Sequence, residues 1–203
     1  MKENGFEYVD LGLPSGTMWA TCNVGATKPE ESGLLFQFGR VDGYKYGDEN
    51  NQFRVPDQNK QDTGSEYTPV TTSGKVYKKN EILELEDDAA HVHMGGKWKM
   101  PTKDQLKELI NNTTHNVATI NGVKGMMFTS NINGQFMFIP FVGFWYDGKL
   151  GNSNKSSVFI RSSNVHDSDV NIAYLLFCGL SGNVDIYYGI RSYAFAVRGV
   201  FKK

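Results

Sequence analysis

Along the C-terminal half of the chain, short apolar runs alternate with turn signals. The runs "GMMFTS", "QFMFIP", "VGFWY", "SVFIRS", "AYLLFC" and "VDIYY" are rich in β-branched and aromatic residues, and Asn121-Gly122, Asn133-Gly134 and Asp147-Gly148 punctuate them. Short strands joined by Asn-Gly or Asp-Gly turns predict antiparallel hairpins. The N-terminal half is mixed. "FEYVDLGLPSGTMWATCNV" predicts two strands around a Pro-Ser-Gly turn. "MPTKDQLKELINN" predicts a helix, with Thr102 as N-cap, Gln105 at the capping-box position and Leu106, Leu109 and Ile110 on one face. A second short helix is expected over "EDDAAHVHM", and the polar, aperiodic stretch 42–80 reads as a surface insertion. The pattern predicts one α+β domain over residues 1–203 with an antiparallel β-rich C-terminal half.

Composition narrows the partners. The 203 residues carry a net charge of −1 and no Lys/Arg cluster, so no electrostatic footprint for nucleic acid or an anionic membrane is present. The start "MKENGFEYVD" lacks an apolar signal core, and no apolar run approaches membrane-span length. A soluble chain is expected, with secretion from a trimmed leader left open. Cys22 and Cys178 match neither a zinc nor a redox spacing, so one disulfide and two buried thiols both stand.

Candidate chemistry is sparse. His91 and His93 share a face only on a strand, and at a helix end they diverge, so no metal is expected there. Asp87 and Asp88 read as a solvated helix start that favours the macrodipole. Cys178 with His166 as base lacks the local motifs of cysteine enzymes. "GLPSGT" lacks the Gly-Lys-Ser/Thr ending of a phosphate loop, and "WYDGKLGNSN" reads as a turn. No cofactor is expected. Aromatic residues make up 13% of the chain, and Tyr187, Tyr188 and Tyr193 crowd its final segment, where they either decorate a β-surface or supply contact area to a ligand.

The same segment shows a census anomaly. From Ser156 to Phe201, 46 positions contain no Glu, Lys, Met, Gln or Trp, although these five types number 40 in the first 155 residues. Independent draws at that rate would leave such a gap roughly once in a million. A buried β-rich segment avoids Lys, Glu and Gln, but Met and Trp suit aromatic β-cores, and polar residues are frequent in "RSSNVHDSDVN". A genetic filter accounts for all five. Asparagine codons mutated at their adenines keep a pyrimidine third base, and none of the five missing types has a pyrimidine-ending codon.

In order along the chain, "YVDLGLPSGTMWATCNVGA", "LFQFGRVDGY", "GGKWKMPTKDQLKELI", "FIPFVGFWYDGKLG" and "YAFAVRGV" resemble the Fibrobacter succinogenes major paralogous domain family, common in gut Bacteroidales and their phages. The resemblance spans most of the chain. It implies a C-type-lectin-like fold of the formylglycine-generating-enzyme branch, the fold that also carries the variable proteins of diversity-generating retroelements. Two departures, Ala194 in place of a family glycine and "VFIRSS" in place of Tyr-Trp-Ser-Ser, fall inside the filtered tract 156–201.

The expected function is therefore non-enzymatic ligand binding, in receptor recognition or adhesion, through a diversified C-terminal face. The face is expected among Phe159, Arg161, Asn164, Val165, His166, Asp167, Tyr174, Leu175, Phe177, Asp185, Ile186, Tyr187, Tyr188, Ile190 and Ser192. Aromatics would supply buried area, and Arg161 and Asp185 would pair with polar ligand groups. On strand 173–178 the alternation leaves two candidate outward sets. The resemblance implies a cell-surface protein or glycan as ligand and a phage tail or bacterial surface as location. An oxidoreductase like the formylglycine-generating enzymes needs two C-terminal cysteines, and only Cys178 lies there. A structural module of a surface assembly is the third reading.

Overall fold

In the computed structural model, residues 1–46, 71–146, 149–151 and 155–203 are described. Most of the expected insertion at 42–80 and the Asp147-Gly148 turn lie outside them. The chain enters through β1 (Lys2–Glu3), β2 (Phe6–Val9) and β3 (Thr17–Asn23). As the Pro-Ser-Gly turn implied, β2 and β3 pair antiparallel, with Tyr8 opposite Ala20 and Val9 opposite Trp19. Next come β4 (Leu34–Phe36) and β5 (Tyr44–Lys45), a 3-10 turn at Leu85–Asp87, α1 (Ala89–Met94) and α2 (Lys103–Asn111).

The rest is strand. β6 (Thr113–Ile120), β7 (Val123–Ser130) and β8 (Phe136–Pro140) form a three-stranded meander, and β9 (Phe144–Tyr146) pairs with β10 (Lys149–Gly151). β11 (Ser157–Val165), β12 (Ile172–Gly179) and β13 (Val184–Ile190) are followed by β14 (Phe195–Ala196) and β15 (Arg198–Lys202). A six-stranded sheet runs in the order β13-β12-β11-β14-β4-β5, and a four-stranded sheet runs β1-β2-β3-β15. The described residues are thus mostly β-strand with two helices, an α+β composition with a β-rich C-terminal half. No helix among them is long and apolar enough to cross a membrane.

Local signals explain the sharpest elements. At the β6–β7 turn, Asn121 (φ +48°) and Gly122 (φ +82°) both adopt left-handed backbone, the geometry that a two-residue type I′ turn requires. In α2, Thr102 and Gln105 form the expected reciprocal capping box, and Leu106 and Leu109 are buried. Ile110 packs against the same cluster from a partly buried position.

The four-stranded sheet is covered on both faces. Trp19 and Val200, opposite one another, point into a cluster with Leu106, Leu109, Phe128, Ile160 and Leu176. Their neighbours Met18, Ala20 and Phe201 point the other way, into a cluster with α1, Phe36, Phe38 and Trp98. Strand alternation therefore feeds two cores from one sheet. Gly199 lies at a close approach of β15 to α1, since a Cβ there would sit 2.7 Å from Met94 Sδ and 3.0 Å from the Trp98 ring.

Asp87 and Asp88 correct an expectation, because both are buried. Asp88 Oδ1 accepts the His91 N–H at 2.9 Å, capping α1, and its two oxygens accept the Met100 N–H at 3.0 and 2.8 Å. Asp87 accepts from Ser73 N, Ser73 Oγ and the Tyr77 hydroxyl at 2.6 to 2.8 Å. The pair ties α1 to chain on either side of it, a task that fully buried carboxylates perform only with every acceptor engaged. Asp88→Ala is expected to cost about 3 kcal/mol, from the lost cap and an orphaned Met100 N–H, and to lower Tm by roughly 6–12 °C. Asp104→Ala, on the exposed first turn of α2, is expected to shift stability by less than about 0.5 kcal/mol. Thermal unfolding followed by circular dichroism checks both.

Candidate functional site

Register decides which residues of the filtered tract share a face. Phe159 lies opposite Phe177 and Arg161 opposite Leu175 across β11–β12, while Leu175 lies opposite Tyr187 and Phe177 opposite Asp185 across β12–β13. Cross-strand partners point the same way, so Phe159, Arg161, Leu175, Phe177, Asp185 and Tyr187 belong to one face. The other face carries Val158, Ile160, Leu176 and Cys178 into the main core, where Ile186 and Val184 pack against them. Of the two outward sets left open on strand 173–178, the one containing Phe177 is outward.

The outward face is a continuous aromatic surface. Phe159 packs at 5.2 Å from Phe177 and 5.5 Å from Phe195. Phe144 sits 5.6 Å from Phe159 and stacks on Phe195 at 5.2 Å. Tyr146 and Tyr193 meet at 5.5 Å, and Tyr187 stacks on Tyr188 at 5.3 Å. Phe195 is buried, Phe144, Tyr146, Phe159, Phe177 and Tyr193 are half-buried, and Tyr187 and Tyr188 are 53% and 51% exposed. Phe144, Tyr146 and Tyr193 were not among the expected site residues. The signal for Phe144 and Tyr146 was the Phe-Trp-Tyr alternation in "VGFWY", where buried Trp145 forces its two neighbours outward.

Arg161 corrects a second expectation. It is 0% exposed, and its guanidinium donates to the carbonyls of Gly189 (3.4 Å), Ile190 (3.1 Å) and Tyr193 (2.6 Å). Its Cζ lies 4.5 Å from the Phe195 ring centroid. Burial pushes its pKa down to about 9, with the Arg191 guanidinium adding to the effect. Arg161 therefore holds the end of β13 and the turn that follows it against β11 and is not presented to a ligand.

The remaining expected residues divide. Val165 is in the second core, Leu175 is 1% exposed beneath the rings, Tyr174 is buried, and Ile186 faces the main core, so none of these four reaches the surface as a ligand contact. Asn164 accepts the Lys103 N–H at 2.8 Å, and Ser192 gives its carbonyl to Gln37 Nε2. His166, Asp167, Tyr174 and Tyr188 gather on the opposite side of the sheet with Lys103, whose Nζ lies 3.7 Å from the Tyr174 ring centroid. The Tyr174 hydroxyl, and then the Lys103 ammonium, hold the Asp167 carboxyl below its usual range. Asp185 is exposed on the aromatic side, and Ile190 is exposed on the other face of β13.

Reactive chemistry is not assembled among the described residues. His91 Nδ1 faces the Trp98 carbonyl and His93 Nε2 the Val41 carbonyl, so the two rings diverge as expected at a helix end. Among the described residues, no group of three or more His, Cys, Asp or Glu side chains could hold a metal ion. Cys22 and Cys178 are both free thiols. Burial pushes the Cys178 thiol up, away from nucleophilic use. His166 follows β11 at the far end of β12, about 20 Å along the strand from Cys178. A groove of about 820 Å³ between β15 and α2 is lined by Lys97, Lys99 and Lys202 together with Asp104 and Glu108, and the Ser15 N–H and hydroxyl already engage Glu108. No family model matches the chain, and neither does any curated protein or solved structure.

Replacing Arg161 by Met is expected to cost about 3 kcal/mol, because charge-assisted bonds to buried carbonyls are lost. Tyr187→Ser is expected to cost less than about 1 kcal/mol, since the ring is half in water. Urea unfolding at neutral pH checks both, and equal costs for the two variants would contradict the positioning role of Arg161.

Proposed function

We propose that the protein is a non-enzymatic binding domain that presents the aromatic face of β11–β13 to a ligand on a cell surface, and that this face is diversified by retroelement mutagenesis. The observation that carries the reading is a coincidence of place. The most exposed ring of the face, Tyr187, the Tyr188 ring that stacks on it round the open edge of β13, and the deeper rings Phe159 and Phe177 all fall within the tract that lacks five residue types. Contiguous exposed aromatics of this kind mark interaction surfaces, because large, stiff side chains give contact area at small entropic cost.

Burial alone does not explain the census. Asp167, Ser168, Leu180, Ser181, Asn183, Asp185, Tyr187, Tyr188 and Ile190 are exposed tract positions, and none is Lys, Glu or Gln, the residues that solvent-facing positions favour. A codon filter acts equally on exposed and buried sites. The resemblance to the Fibrobacter succinogenes major paralogous domains supports the same reading, with a C-type-lectin-like frame under the variable face and a phage tail or bacterial surface as location. The ligand is a surface protein or glycan, and the face uses rings and hydrogen-bonding groups with Asp185 as its charged member.

Two measurements test this. Sequencing the encoding locus is expected to show pyrimidine-ending codons at Phe159, Phe177, Asp185, Tyr187 and Tyr188, beside a near-copy differing at adenines and a reverse-transcriptase gene. Since the amino acids at these five positions all have only pyrimidine-ending codons, the discriminating part is the near-copy, and a locus without one would sink the diversification. Binding of the fluorescent protein to intact Bacteroidales cells, read by flow cytometry, is expected to fall at least about tenfold in a Tyr187→Ser/Tyr188→Ser variant, with Tm within about 2 °C of the parent. Unchanged binding by that variant would remove the face from the mechanism.

A further inference from the structure

A strand that ends a sheet leaves a row of N–H and C=O groups unpaired, and proteins shorten, charge or cover such edges. Most edges here are managed. β1 and β5 are two residues long, and β9 has Trp145 exchanging both backbone bonds with Ala194. β15 has Val200 exchanging both bonds with Lys99. β8 gives the Phe138 carbonyl to Arg198 and ends in Pro140, which has no N–H. On β13, Asp185 Oδ1 takes the Ile186 N–H at 2.7 Å. The stacked Tyr187 and Tyr188 rings start on opposite faces and meet only by leaning round the open edge.

β6 has none of these devices. It is eight residues long, "TTHNVATI", without Lys, Arg, Asp, Glu or Pro, and its register with β7 runs unbroken from Thr113 opposite Ser130 to Ile120 opposite Val123. In a two-residue hairpin the pair closing the turn is hydrogen-bonded, so even-numbered β6 residues bond to β7, and His115, Val117 and Thr119 aim their backbone groups away. Among the described residues no backbone partner meets those groups.

We propose that β6 pairs antiparallel with β6 of a second copy of this chain, about a two-fold axis at Val117. The strand is its own complement. Val117 of each copy lies opposite the other's, His115 opposite Thr119, Asn116 opposite Ala118 and Thr114 opposite Ile120, so no like charges are opposed. Each of the three outward N–H groups gains a carbonyl acceptor. Val117, 37% exposed, supplies the apolar contact on the axis. A foreign strand would satisfy one such edge, but a second copy brings an identical uncharged edge, so a single two-fold contact covers both. Because β6 lies in the three-stranded sheet, pairing leaves the aromatic face on the six-stranded sheet unobstructed by β6. One strand pair buries less than a standard interface of about 1,600 Å², so a dimer is expected to emerge as concentration rises through about 10–100 µM.

Sedimentation velocity on the ligand-free protein, with hydrogen exchange at the same concentrations, tests the proposal independently of any binding function. The mass is expected to rise from the 22.7 kDa of one chain toward twice that value, with slowed exchange at the amides of His115, Val117 and Thr119. Val117→Lys sets two ammonium groups against each other on the axis and is expected to leave a monomer with unaltered Tm. Should that variant fail to fold, Val117→Cys decides the matter, because antiparallel partners lie within disulfide reach. A reducible dimer is expected from Val117→Cys and none from Thr114→Cys. A single-chain mass at 500 µM, a dimer that survives Val117→Lys, or association without protection of those three amides would overturn the proposal.

Discussion

The buried Arg198 guanidinium is the contact on which the frame turns. Arg198 is shut off from water at the start of β15, and it donates to Asn23 Oδ1 at 3.0 Å, the Ala20 carbonyl at 3.1 Å and the Phe138 carbonyl at 3.1 Å. Burial pushes its pKa down to about 10. A buried cation persists only where its donors meet acceptors in good geometry, so its position dictates where those carbonyls lie. β3, β8 and β15 are thereby locked together, and the four-stranded sheet is joined to the meander. Arg161 applies the same device at the other sheet, where two carbonyls at the end of β13 and one just after it converge on one buried side chain.

This arrangement separates what holds the face from what the face presents. Beneath the rings lie Leu175, Phe195 and Arg161, and Gly189 is closely packed, since a Cβ there would fall 2.8 Å from Leu175 Cδ1 and 3.1 Å from the Phe195 ring. Above them, Tyr187, Tyr188 and Asp185 make few contacts that the core depends on. Substitution at the upper positions therefore changes chemistry at small cost to stability, which is the property a surface needs if its specificity is to be altered residue by residue. The rings also hold one another, so the proposed binding surface is ordered in advance.

How much was legible depended on the range of the physics. The capping box of Thr102 and Gln105, the Asn121-Gly122 hairpin and the two strands around Pro-Ser-Gly rest on interactions within a few residues, and each formed as read. Asp87 and Asp88 did not, because a local reading sees a helix start and the partners Ser73, Tyr77 and Met100 arrive from elsewhere. Arg161 was read as a surface cation on the same ground. Its acceptors lie 28 to 32 residues away, and only the β11–β12–β13 register brings them within reach.

The aromatic face shows the same division at larger scale. Sequence alone determined that the last strands are short, aromatic and hairpin-linked, and that one tract had lost five residue types, because composition and turn chemistry need no knowledge of neighbours in space. The tertiary structure decided which ring of each alternating pair faces water, brought Phe144 and Tyr146 from outside the tract onto the same surface, and sent Tyr174, Val165 and Ile186 inward. The reason is that period-two alternation offers each strand two equivalent faces. Only the packing of α2 and the Trp19–Leu176 core against one of them breaks that symmetry.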